Sequence, residues 1–216
     1  MSIQTVVQFS TVAIFALTFV LSFFITREFY SKRSRSLMFW SLGLWMFALA
    51  ALLEIVFAYG IYNQPLIKLY LFVVALVVEF LALGSANLLK SKAVIRYYYI
   101  FCLVTTAALG ISLIPAAIGN ILVTYVVYGA LPLLITITSS AIALPAAGVL
   151  IAIAALSFSK TRNPKMLSII AGVVIVSIGG LLYITVFPVF LYYSEFIGIV
   201  LLWLGFFDLK MLRLRS

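Results

Sequence analysis

The sequence predicts an all-α membrane bundle of seven transmembrane helices, and three observations predict it. The first is composition: 66% of the 216 residues are hydrophobic and 9% are charged, against roughly 25% charged in a soluble domain. The second is grouping. The apolar residues come in runs of about 20, the length at which a helix crosses the ~30 Å hydrocarbon core of a bilayer. The third is the placing of charge: every Lys and Arg except Lys68 falls in alternate loops or in the C-terminal tail. Basic loops stay on the cytoplasmic side. Seven spans then put the N-terminus outside and the C-terminus in the cytoplasm. We expect a multi-pass protein of the cell membrane, with residues 1–216 forming a single domain.

Span 1 is Thr5–Ile25, followed by a basic loop with Arg27, Lys32, Arg33 and Arg35. Its flanks lack a basic leader and an A-x-A-like site, so it reads as a retained helix and not a cleaved signal. Span 2 is Leu37–Tyr59, and the polar turn Gly60–Pro65 leads to span 3, Leu66–Leu89. Lys90, Lys92 and Arg96 mark the next basic loop, before span 4, Ile95–Ile114. Span 5 is Leu133–Phe158, with the basic loop SKTRNPK behind it; span 6 is Met166–Val189 and span 7 is Phe190–Leu209. Residues 121–158 as one helix would be about 57 Å long, nearly twice the core thickness. Splitting them into two spans would move two basic segments outside, against the charge rule. The stretch ILVTYVVYGAL is therefore expected as an outer interfacial helix or a re-entrant segment, with Tyr125 and Tyr128 at the interface.

Several functions are excluded or disfavoured at this level. The chain has no His and one Cys, which removes His-ligated metal and haem sites, a His proton shuttle and any internal disulfide. No nucleophile sits with a base, and no phosphate-binding loop follows a strand, so we expect no enzyme, no cofactor and no metal. The net charge of +9 follows from topology control, which makes anionic lipid head groups at the cytoplasmic face the expected partner and not nucleic acid.

Span 3 ends LALGSANLLKSK and span 7 ends LWLGFFDLKMLR, pairing Gly84 with Gly205 and Asn87 with Asp208; Ser31-Lys32 before span 2 likewise pairs with Ser159-Lys160 before span 6. These matches read as two parallel three-helix units, 1–92 and 133–216, joined by span 4 and an outer segment across 93–132. Such a 3+1+3 arrangement resembles that of the SWEET sugar transporters and their PQ-loop relatives, and opsins share the span count. That resemblance implies transport through a helix bundle. The Pro-Gln motif of the PQ-loop family is absent, spans 1 and 2 contain no Pro, and the middle of span 7 has no lysine for a retinal Schiff base. The runs RSRSLMFW and LALGSANLL also resemble a loose group of uncharacterised prokaryotic seven-helix membrane proteins. Short loops and the lack of regulatory tails agree with a prokaryotic origin.

An ionisable residue inside a membrane span costs about 2.5–3.5 kcal/mol on insertion scales, so each calls for an explanation. Glu79 lies near the middle of span 3, on a face with Phe72, Ala75, Ala82 and Ala86. Lys68 is roughly 16 Å away along the same helix, too far to pair with it. Glu54 lies about 9 Å outside the midplane of span 2, on a face with Gly43, Phe47, Ala50 and Ala58. Glu195 opens span 7 on a face with Gly198, Leu202 and Gly205. Small residues favour close helix contact in lipid, so Gly43, Gly84, Gly172, Gly179, Gly198 and Gly205 are expected to pack helices together. The acids are expected to face inward as one set, Glu79 and Glu54 with Glu195 at the mouth, able to hold a proton, a cation or an amine. Otherwise they are neutral carboxyls serving as packing hydrogen bonds. Asn87 and Asp208 are further polar positions at inner span ends. Two functional classes follow: a small transporter or ligand-responsive protein using these carboxyls, and a non-catalytic membrane subunit packed against a partner or a second copy. A receptor-like sensor is a third.

Overall fold

The structure, a computed structural model, describes residues 3–89, 91–123, 125–127, 129–162, 165, 167–169, 171–172, 174–175 and 188–206. It is a helical bundle. The helices are α1 (Ile3–Lys32), α2 (Arg35–Ala58), α3 (Gln64–Ala86), α4 (Lys92–Leu113), α5 (Leu133–Thr161) and α7 (Pro188–Phe206). Between the last two, the described residues of 165–175 are helical and form α6. The five helices α1 to α5 are long and apolar enough to cross a membrane. Asp208, Gly179, Tyr128 and Lys90 lie outside the described residues.

Helix α1 runs past the expected end of span 1 into the basic loop. The stretch after Ile25 is helix-compatible, Glu28 and Lys32 form an i,i+4 ion pair at 2.5 Å, and the helix stops only where Arg33 turns left-handed at φ 51. Helix α5 ends in the same manner at Arg162, φ 52. In both cases the arginine N–H reaches the carbonyl four residues back, Phe29 and Phe158, at 2.7 Å, and the guanidinium lies over a nearby ring, Tyr30 or Phe158. Helix α3 starts at an Asn63 side-chain cap with Pro65 in its first turn, where a missing N–H costs nothing.

One seam of α1 is fully buried: Val7, Thr11, Ile14, Thr18, Leu21 and then Ile25, alternating steps of four and three as in a coiled coil. Its hydroxyls do not need partners across the interface, because Thr11 and Thr18 donate back to Val7 O and Ile14 O at 3.0 and 2.7 Å. This seam packs on α2 and α7. Helix α2 packs on α3, which in turn meets α4 and α5.

Cross-helix hydrogen bonds set the order of the ends. Thr26 meets Ser41 and Trp45, Ser36 donates to Gly84 O, and Asn87 donates to Tyr99. Ser112 pairs with Thr138 and Ser168 donates to Leu201 O. The basic ends of α1, α3 and α5 thus gather at one end of the bundle.

At the opposite end the structure departs from the expected helix or re-entrant segment. Leu122–Val123 and Val126–Val127 form a two-stranded antiparallel hairpin. The reason is local. The stretch is rich in β-branched residues, which favour strands, and Tyr125 takes φ 67, the left-handed backbone that tight hairpin turns require. The approach to the hairpin is tied down by the α2–α3 turn: Gln64 donates to Ile118 O and accepts from Ile118 N, and Tyr62 donates to Gly119 O. Lys68, the exception to the charge rule, donates to Ile114 O at 3.0 Å. It sits at the C-terminal end of α4, where a cation meets the negative end of the helix dipole.

Candidate functional site

Glu54 lies one turn before the end of α2 and is 3% exposed. Its Oε1 accepts from the Tyr70 hydroxyl of α3 at 2.7 Å, and Tyr70 is held in turn by an edge-on contact with Phe57 at 5.5 Å. The other oxygen, Oε2, is buried with no hydrogen-bond partner. Glu195, expected to open its span, lies two turns into α7, the eighth of its 19 residues; it is 9% exposed, and its Oε2 is also buried without a partner. The two carboxyls are near enough for Glu195 to feel the charge of Glu54.

Helix register explains how residues so distant in sequence meet. Trp203 Nε1 donates to Leu17 O at 3.1 Å, fixing α7 on α1. Glu195 is about 12 Å before Trp203 by helical rise, and Gln8 about 13.5 Å before Leu17. Gln8 reaches Ala58 O of α2 at 3.3 Å, and Ala58 is one turn from Glu54. The start of α1 therefore holds both carboxyl-bearing helices at one level. Strand β2, Val126–Val127, packs against α2 and α7 at this end of the bundle.

Buried polar atoms in folded proteins nearly always have partners, and an orphan one costs of order 1–3 kcal/mol. Two orphan carboxyl oxygens, on two helices that both pack against α1 and β2, with the Tyr70 hydroxyl as donor to Glu54 alone, leave room for a proton, a cation or a donor group. Compared with known proteins, the chain matches no family model, no curated protein and no solved structure. The reading of the site rests on its chemistry alone.

Glu79 is placed elsewhere. It is nine residues from Tyr70 on α3, and nine steps of 100° put the two on opposite faces of the helix. Tyr70 turns to α2, whereas Glu79 turns to α4. There it is 3% exposed and accepts from Thr106 Oγ1 at 2.5 Å, with Cys102 lining the same groove. The expected single acidic set is thus two separate arrangements, Glu54 with Glu195 and Glu79 alone. Asn87 closes the end of α3, donating to Leu83 O at 2.7 Å and to Tyr99 Oη at 2.9 Å.

Of the glycines expected to pack helices together, Gly43, Gly84, Gly172 and Gly205 sit at close contacts. A Cβ at Gly43 would come within 3.0–3.1 Å of Leu81, and one at Gly84 would collide with the Trp40 indole. A Cβ at Gly172 would lie 3.1 Å from Gly198 O, and one at Gly205 would collide with Ile169. Among the described residues, no three His, Cys, Asp or Glu side chains gather as a metal-ligand set. Sequence reasoning missed the partners Tyr70 and Thr106. The opposite-face spacing of Tyr70 and Glu79 was a usable signal for separating the acids.

Proposed function

We propose that the protein is a multi-pass membrane protein that binds a proton or a small cation at Glu54 and Glu195, acting as a small transporter or ligand-responsive protein. The observation that carries this reading is the pair of orphan oxygens on α2 and α7. Packing glue would use both oxygens of each carboxyl. A site that must accept and release a ligand keeps them free. The N-terminus lies outside and the C-terminus in the cytoplasm, with the basic loops against anionic head groups. The matching ends of α1 and α5 and the matching glycine contacts of α3 and α7 support the parallel 3+1+3 repeat.

The test is ion flux in proteoliposomes loaded with a pH-sensitive or cation-sensitive dye. Wild-type protein should dissipate an imposed proton or monovalent-cation gradient. Glu54→Gln and Glu195→Gln should each reduce the flux to that of empty liposomes while the protein still purifies as a folded species. A wild-type rate equal to empty liposomes, or full flux in both variants, would falsify the reading. A second reading, a non-catalytic subunit of a membrane complex, is favoured by α4, whose apolar stretch is only 11% buried within the bundle. Co-purification of a fixed partner after gentle extraction would support it.

A further inference from the structure

A groove runs between α3 and α4 with Glu79 in its lining, and nothing in the carboxyl pair of α2 and α7 accounts for it. Its walls are apolar: Leu76, Phe80 and Leu83 from α3, Ile100 and Leu103 from α4. The rim on the α4 side is open, with Leu103 72% exposed. The polar groups converge on one spot. Thr106 donates to Glu79, which orients the carboxyl, and Cys102 lines the groove beside them. Tyr99, farther along α4, also lines the groove and is engaged by Asn87. A carboxyl near the middle of a membrane-crossing helix is costly to insert and calls for a partner. An apolar trough with one oriented acid is complementary to a molecule with an alkyl chain and one positive head.

We propose that this groove is a second site, separate from Glu54 and Glu195, which binds an amphiphilic ammonium from the lipid side. The ammonium sits at Glu79, and the alkyl chain lies along Leu76, Phe80 and Leu103. Charge complementarity selects against anionic lipids, which the carboxylate repels, and gives a neutral alcohol of the same chain no anchor.

The experiment is equilibrium binding of labelled dodecylamine to the full chain in phosphatidylcholine nanodiscs, whose lipid carries no net charge to recruit the ligand. Saturable binding is expected in the wild type, above the partition into empty nanodiscs. Glu79→Gln should weaken it about tenfold or more, equivalent to at least 1.4 kcal/mol. Leu103→Trp, at a residue that carries no core contact, should fill the trough and weaken binding as much. Leu144→Trp on the exposed face of α5 controls for an added indole. Dodecanol should fail to compete. Equal binding by wild type and Glu79→Gln, or equal competition by dodecanol, overturns the proposal. If Glu79→Gln does not fold, Leu103→Trp against Leu144→Trp decides: equal affinity in those two overturns it as well.

Discussion

Tyr70 decides how Glu54 is held. Its hydroxyl donates to Oε1 at 2.7 Å, while its ring stays packed on Phe57 whether or not the hydroxyl is there. Tyr70→Phe therefore removes the hydrogen bond to Glu54, keeps the ring on Phe57, and leaves both oxygens of a buried carboxyl without a donor. The expected cost is about 1–3 kcal/mol, read as a lower thermal midpoint of the purified protein, whereas Tyr97→Phe at an exposed position should change nothing. A second substitution separates stability from function. Replacing a buried polar group by an apolar one of similar shape is often neutral or stabilising. Glu54→Leu in the Tyr70→Phe background should thus recover most of the lost stability and restore no flux. If the double variant regains flux, the carboxyl is structural and the proposed site is wrong.

At the scale of helices, the bundle relies on glycines at close crossings. At Gly84 of α3 the neighbour is the Trp40 indole of α2, which cannot swing aside cheaply because its Nε1 donates to Leu81 O and Ser85 Oγ, both at 3.2 Å. Gly84→Ala is expected to destabilise by about 1–3 kcal/mol through overpacking. Gly148 on α5 has nothing within 4 Å of where a Cβ would stand, so Gly148→Ala should stabilise by about 0.5–1 kcal/mol through helix propensity. Thermal unfolding of the two variants side by side checks the opposite signs; the same sign for both would remove the packing argument. Gly84 was readable as a packing position from helical spacing, and α1 to α5 from the length of the apolar runs. The hairpin was not. Hydropathy gives 121–127 the same score as a helix, and the left-handed turn at Tyr125 carries no glycine to announce it. The buried seam of α1 was also hidden, because Thr11 and Thr18 look polar until their hydroxyls are seen to bond within their own helix.

For the whole molecule, the acids were legible as exceptions but their grouping was not. Glu54, Glu79 and Glu195 stand out against apolar spans. Only the packing of α2 against α3 and of α1 against α7 shows which pair shares a level. The orientation expected in the membrane rests on the placing of charge, and the structure supplies positions at which to test it. The contacts gather the ends of α1 and α5, at Ser31 and Ser159, on one side of the bundle, and the α2–α3 turn with Ile61 on the other. All three residues are exposed. The chain has one cysteine, Cys102, so Cys102→Ser gives a background without thiols, and single cysteines can be placed at these three sites. An impermeant maleimide added to intact cells should label Ile61→Cys and leave Ser31→Cys and Ser159→Cys unlabelled until the membrane is opened. The reverse pattern would invert the orientation and put the carboxyl pair nearer the cytoplasm. Labelling of Ser31→Cys but not Ser159→Cys in intact cells would mean that an odd number of crossings separates them, breaking the equivalence of the two three-helix units.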